Sequence, residues 1–380
     1  MIRSVNIMTL TGTDQELDVA APVTERRIMP ADLRRFVADV FRRLGVPEAA
    51  AQRAAEQLVV ADVRGVWSHG VARLAMYVEQ IETGSILPRA ALTVERETPT
   101  TIVFNANSGL ALALAPQAMD ACIARAQEMG VAMVTVNNST HFGIAGSYAM
   151  SAAAQGLGGL AMTNAGPFVV PTGGRVPMLG TNPIAFSVPL GPDEPPFVFD
   201  MATSAIAYGK LENARRMGKP LAHGLVVDES GLPATDPYLA KYLMPLGGEQ
   251  FTSGHKGYGL AVMVETFCGP LAGALWGTHL ASVQRIGVRP GLGHAFMAWR
   301  IDAFRDPAEF ASELRQLLAE LRACPPAAGY EATGVLAPGD PENAATAISE
   351  TLGIDLHPTI WAELEELSGR LSVPLGPTAS

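Results

Sequence analysis

Residues 131–164 read VAMVTVNNSTHFGIAGSYAMSAAAQGLGGLAMTN. The first six, VAMVTV, are a continuous apolar run with β-branched residues, the pattern of a strand buried on both faces. NNSTHFG then supplies loop residues, and IAGSYAMSAAAQ (144–155) has the small, proline-free composition of a helix. GLAMTN (159–164) returns to a short apolar strand. Strand, helix, strand implies a parallel crossover, and the class is α/β.

Outward from this unit the chain keeps mixing the two periods. Residues 30–84 look helical, with PADLRRFVADVFRRLG and PEAAAQRAAEQLVVADVRG as amphipathic segments. TIVFNA, from 101, reads as a strand, and 110–129 reads as a helix stopped by Gly130. IAFSVP and FVFDM are further strands. Helices are expected at 203–217, 256–268, 307–322 and 357–371, and PGDPE (338–342) reads as a turn. This gives a flexible arm at 1–27, a helical segment at 28–100, a central α/β region at 101–305 and a helical C-terminal segment at 306–380. GYGLAVMVETFCGPLAGALWG (257–277) imitates a membrane span, but Glu265, Pro270 and five glycines favour a buried helix that breaks near Gly269.

Composition narrows the function. Of 380 residues, 48% are hydrophobic and 17% charged, which suits a globular chain with a large core. A net charge of −10 without a basic cluster argues against a nucleic-acid partner. Cys122, Cys268 and Cys324 are far apart, so a disulfide framework is not expected and a reducing, cytoplasmic setting is. The start, MIRSVNIMTLTGTDQELDV, lacks the apolar run and cleavage site of a secretory signal. No metal site is expected, because no H-E-x-x-H and no ligand-spaced histidine pair occurs.

GVWSHGVARL (65–74) carries chemistry. The run from His69 to Glu82 has no proline and predicts one helix capped by Ser68. Val71, Leu74, Val78 and Ile81 share its core face, while His69, Arg73 and Tyr77 follow one another at four-residue intervals on a second face. By spacing alone that stripe suits a solvated face as well as a ligand wall. His141 lies in the loop after VAMVTV, at the strand end where α/β proteins bind ligands. A histidine there can exchange a proton near neutral pH, or simply bond to backbone. Asp200 ends a strand and suits either a ligand contact or a cap on the helix that follows. HKGYGL, with His255 and Lys256, places a cation and glycines at a helix start, a geometry that accepts phosphate or carboxylate. There is no G-x-G-x-x-G after a strand.

Taken in order, GVWSHGVARL, NNSTHFGIAGSYA, VVPTGGRVPMLGTNPIAF, FDMATSAIAYGK, GLPATDP, PLGGEQFTSGHKGYGLAVMVE and APGDPE resemble the type-2 malate/L-lactate dehydrogenase family over about residues 28–376. The resemblance implies a non-Rossmann nucleotide-binding fold, its helical N-terminal segment packed with the C-terminal segment. It implies hydride transfer between NAD(P)H and a small 2-oxo acid or 2-hydroxy acid, in a cytoplasmic homodimer that binds neither nucleic acid nor membrane. It assigns His141 as acid–base and makes His69, on the substrate-contacting helix, the second catalytic residue. Ser68, Arg73 and Tyr77 become substrate contacts. Asp200, Met201 and Ala202, with Lys210, His255 and Lys256, become cofactor contacts.

A branch of the family reduces cyclic imino acids or N-alkyl imines, and that reading stays open beside the first. A metal-dependent hydrolase and a catalytically silent fold are the remaining alternatives. Trp67 stands where many members carry a polar residue, and His223 and Leu225 replace a common proline and tryptophan. These departures bear on substrate identity.

Overall fold

The computed structural model describes residues 26–283 and 285–378, so the expected arm at 1–27 lies outside it apart from Arg26 and Arg27. Arg27 already belongs to a strand, β1 (Arg27–Ile28). Helix α1 (Pro30–Arg43) starts on proline, whose fixed φ suits the first turn, and α2 (Glu48–Val63) follows.

The predicted helix from His69 to Glu82 is not continuous. Two 3-10 turns, Trp67–His69 and Val71–Arg73, precede α3 (Leu74–Glu82). Gly70 breaks the run with φ −87° and ψ −148°, far from helical values. Ser68 caps nothing; its hydroxyl bonds His69 Nδ1 at 2.8 Å. The expected core face holds, with Val71, Leu74, Val78 and Ile81 all buried.

The chain then lays down β2 (Thr93–Glu97), β3 (Thr101–Asn105), α4 (Ala111–Met129), β4 (Val131–Ser139), α5 (Gly146–Ala153), β5 (Leu157–Thr163), β6 (Ile184–Val188) and β7 (Phe197–Met201). Helix α6 (Tyr208–Met217) is shorter than predicted, and three short strands follow: β8 (Val226–Val227), β9 (Pro233–Ala234) and β10 (Tyr242–Leu243). Helix α7 (Gly254–Cys268) leads to β11 (Leu292–Arg300), α8 (Pro307–Arg322), α9 (Asp340–Leu352), β12 (Ile354–Asp355) and α10 (Pro358–Leu371).

Seven strands form one mixed sheet in the order β2-β3-β4-β11-β5-β6-β7. The crossover expected between β4 and β5 is right in direction but not in adjacency. The late strand β11 lies between them, antiparallel to both. The parallel neighbours are β3 and β4, joined through α4. Such a sheet is not the doubly wound parallel type, which accounts for the missing dinucleotide fingerprint. Side chains alternate between its faces. Ala161 and Phe296 pack with α4 and α5, while Met162 and Ala295 pack with Val264 and Cys268 of α7. Helix α7 stops before Gly269, and among the described residues no helix is long and apolar enough to cross a membrane.

The helical N-terminal segment shares one core with the end of the chain. Phe36, Phe41, Leu58, Leu74, Tyr77 and Val78 are buried together with Trp361, Leu364 and Leu367 of α10. Strand β1 pairs with β12 in the same region. Helix α8 packs elsewhere, setting Leu318 against Leu190.

Register brings several strand termini to one end of the sheet. Leu292 stands opposite Ser139, His294 opposite Thr163, Met162 opposite Ile184 and Ile184 opposite Met201. The ends of β4, β5 and β7 therefore share an edge with the starts of β6 and β11.

Candidate active site

Two segments meet above that edge. One is the pair of turns between α2 and α3. The other is the loop after β4, which starts at Thr140 and His141. The imidazoles of His69 and His141 stack with centroids 5.5 Å apart and planes 26° from parallel. Tyr77, fully buried in α3, places its hydroxyl 2.5 Å from His141 Nδ1. The Gly143 N–H donates to the same nitrogen at 3.4 Å. An N–H can only donate, so Nδ1 acts as acceptor and neutral His141 carries its proton on Nε2. Arg73 donates from Nε to the Ser68 carbonyl at 2.8 Å. Its two terminal amino groups are left without an ion pair among the described residues. The structure thus brings together His69, His141, Tyr77, Ser68 and Arg73.

The electrostatics of this group are those of a site awaiting an anion. Burial, then the charges of His69, Arg73 and His294, holds His141 well below the ordinary histidine range. The crowding of the His69 ring, followed by the charge of Arg73, pushes it down to about 4. Burial drives the Tyr77 hydroxyl up, so it remains a phenol and not a phenolate. One fixed cation and two uncharged imidazoles face each other with no carboxylate among them.

Asp200 stands four strand spacings from β4, roughly 19 Å at about 4.8 Å each. The loop from His141 closes that gap. It ends at Gly146, whose N–H donates to Asp200 Oδ2 at 2.7 Å. Asp200 therefore caps α5, not the helix that follows it in sequence; α6 has no side-chain cap. The residue is open to solvent, yet its carboxyl end is crowded by protein, and this raises its pKa to about 6 against the opposing Gly146 bond and Arg64 charge. Met201 and Ala202 follow, half-buried.

Lys210, His255 and Lys256 do not touch the histidine cluster. They are exposed in the first turns of α6 and α7. Neither turn holds an acidic residue, and none of the three side chains makes an ion pair among the described residues. Cations at the positive end of a helix are unfavourable alone and become favourable when an anion sits between them. Backbone ties Thr203 to Leu246, and Gly257 of α7 closes against Leu246 so tightly that a Cβ would overlap it. The start of α7 thus adjoins Asp200–Ala202, and α6 begins six residues further along the chain. The donor set fits a phosphate-bearing nucleotide.

Two residues that support the site escape a reading of the sequence. His294, in the middle strand β11, is fully buried. Its two ring nitrogens lie 2.8 Å from the hydroxyls of Thr163 and Ser139. Its ring stacks on Phe142 at 4.6 Å. It therefore grips the loop on either side of His141. Glycine and histidine interrupt the strand pattern of GLGHAFMAWR (291–300), and a buried partner of a distant loop leaves no local trace. Asp62, near the end of α2, accepts a hydrogen bond from the Val71 N–H at 2.8 Å beneath the turns. In the sequence it is one carboxylate within an amphipathic helical segment, with no motif to mark it.

Comparison with known proteins agrees with this architecture. Residues 28–365 match the family model described as malate/L-lactate dehydrogenase. A malate dehydrogenase of Pyrococcus horikoshii is 36% identical over 350 residues, covering 91% of this chain and 96% of that protein. A Δ1-pyrroline-2-carboxylate reductase of Ancylobacter novellus is 34% identical over 355 residues, 90% of this chain and 98% of the other. The crystal structure of malate dehydrogenase from Entamoeba histolytica superimposes with a TM-score of 0.87 at 33% identity, covering 93% and 99% of the two chains. Matched along nearly its whole described length in sequence and in fold, this chain belongs to the malate/L-lactate dehydrogenase family and is an oxidoreductase.

Proposed function

We propose that the enzyme transfers a hydride between NAD(P)H and a small 2-oxo acid, forming the 2-hydroxy acid, and that the reaction takes place at the His69–His141 stack. The observation that carries this reading is the convergence of a guanidinium that has no ion pair among the described residues with two uncharged imidazoles at a strand-end loop. The terminal amino groups of Arg73 offer a planar fork to a carboxylate. Burial first, and the Arg73 charge in addition, hold both histidines neutral; a carboxylate there offsets that charge and favours the imidazolium form. The substrate carbonyl then lies near His141 Nε2, with Tyr77 and Gly143 fixing the ring from Nδ1. As the carbonyl carbon takes up hydride, its oxygen gains negative charge, and His141 supplies the proton that turns it into a hydroxyl. Oxidation runs the same steps backwards, with His141 as base.

Asp200, Met201, Ala202, Lys210, His255 and Lys256 are the residues we assign to the nicotinamide nucleotide, which supplies the hydride when bound. We also propose a cytoplasmic homodimer. Three free thiols suit a reducing compartment. Val262, Met263, Leu271, Leu275 and Trp276 are exposed along α7 and the turn after it, a patch that a second copy would cover. Three working parts are proposed: 28–100 for substrate, 101–305 for cofactor and 306–380 as the closing helical segment, with 1–27 as an arm.

The test is loss of reduced-nicotinamide absorbance with NADH and with NADPH, against pyruvate, oxaloacetate, an aryl 2-oxo acid, a cyclic imino acid, and pyruvate with methylamine. Turnover of the oxo acids alone is expected. Turnover of the imines alone would move the enzyme to C=N reduction at the same wall. Absence of any turnover, with no nucleotide binding, would overturn the reading.

A further inference from the structure

We propose that Asp62 is a positioning residue for the substrate wall: its carboxyl group moulds the bend at Gly70 and thereby sets where His69 and Arg73 stand. The inference rests on the functional reading above, in which those two side chains meet the substrate.

The bend is not what the local sequence prefers. In a continuous helix the Val71 N–H would bond the carbonyl four residues back, at Trp67. Here that carbonyl accepts from Gly70 instead, at 3.4 Å, and the Val71 N–H turns inward to Asp62 Oδ2 at 2.8 Å. Arg73 N bonds the Gly70 carbonyl at 2.9 Å and starts a second turn. The Arg73 side chain then reaches back across the bend to the Ser68 carbonyl. His69 ends the first turn and Arg73 ends the second, so one bend governs both.

Asp62 sits directly under that bend. It is 2% exposed, makes no ion pair among the described residues, and is so close to Gly70 that a Cβ there would fall inside its carboxyl group. A buried acid with so few partners is costly to keep. The rigid α2 helix gives the carboxyl a fixed position, and the two turns are draped over it. Burial lifts its pKa to about 8, so at neutral pH it is largely an uncharged acid and asparagine is its close mimic.

The experiment uses the full-length enzyme and compares Asp62→Ala, Asp62→Asn, Arg73→Lys and the Asp62→Ala/Arg73→Lys double variant. Asp62→Ala should raise KM for the 2-oxo acid by about tenfold to a hundredfold, as a misplaced binding group does. Its kcat should change much less, and its affinity for reduced nicotinamide should not change. Asp62→Asn should restore most of the KM. The two single KM penalties should not multiply in the double variant, because both damage one grip.

An unchanged KM in Asp62→Ala, multiplicative penalties, or an Asp62→Asn enzyme as poor as Asp62→Ala would each overturn the role. If Asp62→Ala does not fold, Asp62→Gln, which displaces the acceptor by one methylene, must show the KM shift while Asp62→Asn does not. Wild-type turnover separates this from the functional reading. If the wild type turns over no oxo acid, that reading fails, and the positioning role is decided by whether Asp62→Asn preserves, and the displaced acceptor shifts, the His69 ring signals in a histidine NMR spectrum.

Discussion

Tyr77 and Gly143 both approach His141 through Nδ1, and this fixes what the ring can do. The imidazole can reach substrate only through Nε2, and it can serve as the acid in carbonyl reduction only in its imidazolium form. Its pKa lies well below 6.5 before substrate binds. The protonated fraction of the free enzyme therefore falls about tenfold per pH unit across the neutral range. We expect log kcat/KM for oxo acid reduction to fall with a slope near −1 as pH rises, and hydroxy acid oxidation, which needs the base form, to stay nearly flat. A flat reduction profile would remove His141 as the acid. His141→Ala should lower kcat on the order of a hundredfold to ten-thousandfold with nucleotide affinity unchanged; equal losses in both would place the residue in cofactor binding.

His294 makes a prediction about stability. Burial holds its pKa at about 3 in the folded chain, against about 6.5 when unfolded. Between those values the unfolded chain binds the extra proton. The contribution of His294 is therefore complete above pH 6.5 and is lost as pH falls towards 3, about 2 kcal/mol between pH 7 and 5. Urea unfolding at the two pH values should show wild type losing more than His294→Gln, which keeps a donor and an acceptor for Ser139 and Thr163. Equal losses would mean that His294 is not buried as a neutral ring.

Among elements, the segment from 65 to 82 shows how much was legible. Its core face and polar stripe follow from residue spacing, and the structure keeps both Tyr77 and His69 near His141. The break at Gly70 was not legible, because it depends on Asp62, a residue one element away. Strand β11 escaped for a similar reason: glycine and histidine weaken its local pattern, and its place between β4 and β5 is set by long-range pairing. Helix α9 was hidden in PGDPE, whose Pro341 and acidic residues form a helix start as readily as a turn. The bend itself is testable. Gly70→Ala puts a methyl group where the Asp62 carboxyl lies, so the turns must move. We expect a destabilisation of about 1–3 kcal/mol, the usual range for overpacking, and a rise in KM that exceeds the fall in kcat. An enzyme with wild-type KM would show that the wall tolerates displacement.

At the scale of the whole molecule, the first helices and the last close one core, and this raises the question of how far that core governs the site. Trp361 of α10 is 5% exposed and is buried together with the α1 aromatics. Phe41 of α1 meets Tyr77 edge-on, with ring centroids 6.4 Å apart. The shared core, with the Phe41–Tyr77 contact inside it, is therefore a path from the end of the chain to the phenol that orients His141. Packing does not make that path a lever, because Tyr77 is also held by its own bond to His141 and by Leu74 and Val78 in the same core. Removing a buried tryptophan leaves a cavity that relaxes only in part, and the damage stays near it. Trp361→Ala should thus lower unfolding free energy by about 3–5 kcal/mol, while kcat and KM, measured well below the melting temperature, barely move. Gly70→Ala should do the reverse in kinetics, shifting KM by far more than Trp361→Ala does. Denaturant unfolding and steady-state rates on the two variants, side by side, decide the matter: a KM shift in Trp361→Ala as large as that of Gly70→Ala would make the terminal core and the substrate wall a single mechanical unit.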